Sequence, residues 1–311
     1  MYDVLIIGSG PAGLTASIYA SRYKLANLVI GKVLGGMMTS AHKIENYPGF
    51  TSVSGAELSQ KMGEHAKALR GEILTDGVVK IEKSKTGFKV TTENGQDFEG
   101  KVLIVATGTE RRKLDVSGEK EYLGRGVSYC TACDIPFFKD KIVALIGGSD
   151  AAVSGAIHAT AFVKKAYIIY RREKLRAEPV WVEEVLKNPK IEVIYKTNIT
   201  EILGDGTKVT GVKLDSPHQG TEKLTLDGVF IEIGGVPGTQ LLKPLGVELD
   251  EGGFVKVKPD MSTNITGVFA AGDIANIAGE FQQIVTAASE GAMAAFSAFK
   301  YLKGAVELST Y

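Results

Sequence analysis

Two stretches of the chain repeat one order of apolar and polar positions. Residues 4–7 are an unbroken apolar run, which a strand buried on both faces requires, and a glycine cluster follows at once: Gly8-Ser9-Gly10-Pro11-Ala12-Gly13. Residues 14–23 then read as a helix. The same grammar returns at 142–146, followed by Gly147-Gly148-Ser149-Asp150-Ala151-Ala152, a helical stretch over 153–162 and a second strand over 166–170. Between the two lie strand candidates around Ile81, 88–92 and 102–106, with Glu93-Asn94-Gly95 as a turn signal. After the second, 193–195, 209–214 and 229–233 read alike. The last third carries Gly267-Val268-Phe269-Ala270-Ala271-Gly272-Asp273 and a long Ala-rich helix over 283–301. No tandem repeat or low-complexity tract interrupts this pattern. At roughly 100 to 200 residues per domain, 311 residues suit two domains.

Composition narrows the function classes. With 44% hydrophobic and 23% charged residues the chain reads as an ordinary soluble globular protein. Its 36 basic and 36 acidic residues cancel, and no basic block provides the field that nucleic acid or an anionic membrane demands, so neither is an expected partner. No apolar run approaches the roughly 18 residues of a membrane span, and the first ten residues lack the basic start of a signal peptide. The expectation is a cytoplasmic protein. The 37 glycines exceed the average of about 7%, and their clustering marks backbone that approaches a ligand.

A G-x-G-x-x-G turn between strand and helix suits a dinucleotide: glycines permit the tight turn and close backbone approach, while the helix N-terminus attracts the pyrophosphate. Gly8, Gly10 and Gly13 satisfy that pattern in that context. No Asp or Glu occurs between Leu14 and Lys43, where an acid would grip a ribose hydroxyl, so spacing alone leaves the dinucleotide open. In the second turn Ser149 stands at the second glycine position, where a side chain crowds the pyrophosphate. The strand beyond it ends Tyr170-Arg171-Arg172, with Arg176 following. Arginines there suit the 2′-phosphate of NADPH; the alternative is a merely solvated charged segment.

The chain has two cysteines, Cys130 and Cys133, a C-x-x-C pair in a chain expected to be cytosolic, and hence a redox or metal signal. Zinc would need two more ligands, and His42, His65, His158 and His218 show no suitable pairing, so no metal is expected. A structural disulfide is disfavoured by the compartment and coincidental buried thiols by the spacing. A dithiol that cycles is the favoured reading. Asp134, the next residue, is a candidate proton carrier or a helix cap.

Two dinucleotide folds, no third domain and a C-x-x-C inside the second fold together resemble the low-molecular-weight thioredoxin reductases, flavoproteins of the pyridine nucleotide-disulfide family, over essentially the whole chain. Gly8 to Gly13, with Ser9, Pro11 and Ala12, resembles the FAD turn; Val105-Ala106-Thr107-Gly108 resembles the family's strand end and Gly267 to Asp273 its second FAD signature. By that resemblance Asp273, after Gly272, bonds a flavin ribityl hydroxyl, and Gly36, Asn46 and Gln283 lie on segments near the flavin. Gly147, Gly148, Ser149 and Asp150 form the NADPH turn, and Arg171, Arg172 and Arg176 match a H-R-R-x-x-x-R 2′-phosphate motif with Tyr170 in the histidine position. Departures gather in two places. Met37 and Gln282 stand where the family carries glutamine and arginine, and Ser149, Ala151 and Gly238 alter the nucleotide half.

The resemblance implies an α/β fold of two Rossmann-like dinucleotide-binding domains, the second inserted into the first: FAD domain over 1–114 and 245–311, redox and NAD(P)H domain over 115–244. It implies that electrons pass from NADPH through FAD and the Cys130/Cys133 dithiol to a protein disulfide such as thioredoxin, in a homodimer whose domains rotate. It gives Cys133 the flavin-facing role, Cys130 the attack on the partner and Asp134 the proton. The alternatives are the same dithiol flavoenzyme fed by ferredoxin or NADH, a ferredoxin-NADP reductase-like flavoprotein, which would need no cysteines, and a non-enzymatic thiol switch.

Overall fold

The computed structural model describes residues 1–279 and 281–304, so the expected last segment, 245–311, extends past the described residues. Two compact units emerge: Met1–Thr39 with Lys43–Glu110 and Val236–Tyr311, and Ser40–His42 with Arg111–Gly235.

The first unit is built on a seven-stranded sheet. Its path runs Glu72–Leu74, Asn27–Ile30, Tyr2–Ile7, Asp97–Val105, Gly87–Thr92, Val78–Ser84, and Val268–Ala270 pairs with Asp97–Val105 off that path. The pairs from Glu72–Leu74 to Asp97–Val105 and the Val268–Ala270 pair are parallel, whereas the last two strands return antiparallel. The unbroken apolar run at 4–7 follows from this position. Val4 and Ile6 point into one core with Val29, Val102 and Ile104; Leu5 and Ile7 point into the opposite core with Leu28, Ile30, Leu103 and Val105. With both faces covered, alternation has no polar side to report. The helix Pro11–Arg22 covers the first face beside the Ala-rich helix Ile284–Lys303.

The second unit repeats the scheme with five parallel strands ordered Ile191–Tyr195, Lys165–Tyr170, Ile142–Ile146, Gly228–Ile231, Val127–Ser128. The helices Asp150–Ala159 and Pro179–Lys187 accompany it, with an antiparallel sheet of Ile199–Gly204, Val209–His218 and Thr221–Thr225.

The helices begin earlier than their apolar patterns suggest. The first starts at Pro11, whose fixed φ suits an opening helical position, rather than at 14, and the second at Asp150 rather than 153. In each case the first turn belongs to the glycine cluster, which hydrophobic periodicity cannot see. The strand expected over 229–233 stops at Ile231, one residue before Glu232. The helices Gly55–Ala68 and Pro179–Lys187 come from structure alone.

The crossing of the first and last helices depends on one glycine. A Cβ built on Gly291 would lie 2.1 Å from the carbonyl oxygen of Ala12, a backbone atom that cannot step aside. Gly291→Leu should therefore lower stability by about 1–3 kcal/mol or more, while Met293→Ala, on an exposed part of the same helix, should change little. Thermal and denaturant unfolding of the two variants checks this, and equal midpoints would refute the close-crossing argument.

Candidate functional site

The first glycine turn is shaped by backbone contact. Gly8 has φ +111°, and a Cβ there would meet the carbonyl oxygen of Ala106 at 2.1 Å; one on Gly13 would meet the carbonyl oxygen of Gly8 at 1.8 Å. Gly10 is different: the nearest neighbour to its missing side chain is the Gly35 carbonyl oxygen, 4.0 Å away. Its bareness leaves open space rather than close packing, as a turn that admits a pyrophosphate needs. Gly10 is also the N-cap of Pro11–Arg22 and caps it with no side chain, so the first-turn amides remain available to an anion. Ser9 is buried, donating its hydroxyl to the Val33 carbonyl at 2.8 Å. Ala12 lies beneath Gly272, whose added Cβ would come within 2.9 Å of the Ala12 Cβ. Packing thereby brings the distant Gly272-Asp273 pair to the turn.

Other predicted residues gather in the same unit. Gly36, at φ +56°, faces Gly10. Thr107 donates to the Gly238 carbonyl at 3.4 Å, and Gly108 turns at φ +63°. The side-chain amide of Asn46 donates to that of Gln283 at 3.3 Å, and Gln283 caps the last helix in a reciprocal arrangement with Thr286. Burial raises the Asp273 carboxyl above the ordinary carboxylate range. One residue escaped sequence reasoning here. Glu290 is buried, accepts the Gly272 amide at 2.7 Å, and is pushed up to about 7, by burial first and by the neighbouring Asp273 charge. Its signal was an acid alone in an Ala-rich helix.

In the second unit Gly147 turns at φ +140°, with the Glu232 carbonyl oxygen 2.2 Å from where a Cβ would stand and Ala152 below at 3.1 Å. Ser149 is the N-cap of Asp150–Ala159, yet its hydroxyl makes no capping bond. Tyr170 packs on the turn, its ring carbons 2.6 Å from a Cβ built on Gly148. The Asp150 carboxylate accepts the Glu178 amide at 2.8 Å. The Arg176 amide donates to the Gly148 carbonyl at 2.6 Å and its Nε to the Tyr170 hydroxyl at 3.1 Å, while Arg171 and Arg172 are exposed. Arg176 thus joins the turn directly, with Tyr170 beside it.

Cys130 and Cys133 form a disulfide with Cα atoms 5.3 Å apart, at the short helix Thr131–Asp134. Cys133 is exposed and Cys130 half-buried; Asp134 ends the helix, its amide bonded to the Cys130 carbonyl at 3.2 Å. Two buried carboxylates missed by sequence reasoning hold this segment. Glu119 accepts the amides of Leu114 and Asp115 and, at 2.5 Å, the hydroxyl of Tyr129, whose phenol burial and this bond push up. Glu232 accepts both the hydroxyl and the amide of Thr131. Next to the motif, Phe137 is 83% exposed, an apolar side chain presented to water.

The pyridine nucleotide-disulphide oxidoreductase family model matches residues 2–291. Thioredoxin reductase of Listeria monocytogenes serovar 1/2a is 42% identical over 97% of this chain and 94% of its own length. The crystal structure of Lactococcus lactis thioredoxin reductase is similar with a TM-score of 0.92 at 39% identity, covering 97% of this chain and 99% of that one. A ferredoxin-flavin thioredoxin reductase from Clostridium acetobutylicum gives 0.52 at 34% identity, over 97% and 98%.

The Glu290 carboxyl yields a pH prediction. A carboxyl raised in the folded state binds more protons there than in the unfolded chain, so its contribution to stability is lost as pH rises toward 7. Glu290→Gln, which keeps an acceptor for Gly272 but cannot ionise, should therefore melt higher relative to the parent at pH 8 than at pH 5. Melting curves at the two pH values check this; a difference of the opposite sign would show that Glu290 is held as a stabilised anion.

Proposed function

The chain belongs to the pyridine nucleotide-disulphide oxidoreductase family, and we propose that it is an FAD-dependent thioredoxin-disulfide reductase drawing electrons from NADPH. The observation that carries this reading is the Cys130–Cys133 disulfide, built into the same unit as the second nucleotide turn. FAD fits the first unit because Gly10 leaves space beside uncapped helix amides and Asp273 offers a half-buried carboxylate to a hydroxyl donor. Bound there, FAD would supply the two-electron link between a nicotinamide hydride and the disulfide. Gly8, Gly10 and Gly13 would bind its pyrophosphate, and Gly36, Asn46, Thr107, Gly108 and Gln283 would line its remainder.

The dithiol does the substrate chemistry. As a thiolate, Cys130 attacks one sulfur of the partner disulfide, forming a mixed disulfide and releasing the partner's first thiolate. Cys133 then attacks Cys130, restoring the Cys130–Cys133 bond and releasing the partner's second thiolate, so that two electrons leave the enzyme. Asp134 stands beside the pair to carry a proton. Phe137 offers the apolar contact that selects a protein over a small disulfide. The same reading takes the enzyme as a cytoplasmic homodimer, which sedimentation velocity tests.

Arg171, Arg172 and Arg176 support NADPH over NADH, since a charge-assisted bond to a phosphate contributes about 1.5–3 kcal/mol. A second donor reading has its own observation: the Tyr170 ring packs on Gly148 and Ser149 adds a side chain at the same turn, which favours supply by another carrier such as ferredoxin.

Two experiments follow. In Cys133→Ser the mixed disulfide cannot be resolved, so the partner should be trapped on Cys130 while flavin stays bound; trapping on Cys133 in Cys130→Ser instead would reverse the two roles. Steady-state rates should favour NADPH over NADH by about tenfold or more, with NADPH affinity improved by Ser149→Gly. No bleaching of the flavin by either nucleotide, alongside fast reduction by ferredoxin, would assign the other donor.

A further inference from the structure

The two units place different residues at one equivalent position. In the first, Ala106 follows the strand Asp97–Val105, donates its amide to Ile7 at 2.7 Å, and lays its carbonyl against Gly8. In the second, Glu232 follows the strand Gly228–Ile231, donates its amide to Ile146 at 2.9 Å, and lays its carbonyl against Gly147. The backbone role therefore needs no carboxylate, and alanine fills it. Glu232 is nevertheless buried to 6% exposure, where an ionised group is costly without partners.

Its partners belong to the redox segment. Oε1 accepts the Thr131 hydroxyl at 3.0 Å and the Thr131 amide at 3.4 Å; Oε2 takes the guanidinium of Arg111 at 2.5 Å. Arg111 also reaches the Ser40 hydroxyl at 3.0 Å. Thr131 itself is buried, its side chain against Gly155, so the carboxylate grips a fixed point of the C-x-x-C turn, one residue from Cys130.

We propose that Glu232 and Arg111 are positioning residues that set the reduction potential of the Cys130–Cys133 couple by balancing one negative and one positive charge against the dithiol. The inference rests on the dithiol reading above. Reduction adds two electrons and two protons to the disulfide, and the product gains whenever a thiolate is stabilised. The Glu232 charge, held at Thr131 one residue from Cys130, opposes a thiolate there. The Arg111 charge acts in the opposite sense. A purely structural clamp would have no such opposed signs.

The test is an equilibrium titration of the holoenzyme in dithiothreitol redox buffers, with alkylation and mass measurement of the Cys130/Cys133 peptide. Glu232→Gln should move the equilibrium toward dithiol by about tenfold, or about 30 mV for a two-electron couple. Arg111→Met should move it toward disulfide by a similar factor, and the double variant should return toward the parent. Unchanged potentials, or shifts of the same sign in both single variants, overturn the inference. Should Glu232→Gln fail to fold, the sign of the Arg111→Met shift still decides. A pair that cannot be reduced even in the parent would overturn the reductase reading itself, and this inference with it.

Discussion

At the ends of the strands Tyr2–Ile7 and Ile142–Ile146, backbone fills the volume where a side chain would begin. The carbonyl oxygen of Ala106 stands 2.1 Å from the missing Cβ of Gly8, and that of Glu232 stands 2.2 Å from the missing Cβ of Gly147. Both glycines have positive φ, so steric exclusion and backbone conformation demand the same residue. Because the neighbouring parallel strand supplies the carbonyl, sheet register and turn shape are one constraint. The helix leaves this junction at once, its opening amides turned toward the space where Gly10 carries no side chain. Gly13 completes the packing by letting the helix rest on the Gly8 carbonyl.

Around these junctions the molecule places buried carboxyl groups on the segments that carry chemistry. Glu290 ties the last helix to Gly272 beside Asp273; Glu119 anchors Tyr129, one residue before Cys130; Glu232 anchors Thr131, one residue after it. Each carboxylate is tolerated in the interior because it accepts backbone or hydroxyl donors that would themselves be costly to leave unmade. The residues on both sides of Cys130 are thus each bonded to a buried glutamate.

The nucleotide half shows a competition between attraction and space. Arg171 and Arg172 are exposed beyond the strand Lys165–Tyr170, while Arg176 donates to Tyr170, and the ring of Tyr170 packs on Gly148. Electrostatics acts across several ångströms, whereas overlap acts at contact.

Much of the architecture was legible in the chain. The runs at 4–7 and 142–146, the glycine clusters after them and the C-x-x-C pair are local signals, because a strand buried on both faces, a turn without Cβ atoms and a dithiol each need particular residue types at fixed spacing. Helix starts were less legible: their first turns belong to the glycine clusters, where hydrophobic periodicity is silent. Glu119, Glu232 and Glu290 were invisible as site residues, since an acid reads as solvated surface until packing buries it. The contact of Tyr170 with Gly148 and the bond from Asn46 to Gln283 join positions far apart in sequence. Sequence by itself determined which segments could bind and react; only tertiary structure decided which buried carboxylates hold them, because burial and hydrogen-bond partners are properties of neighbours that the chain brings together by folding.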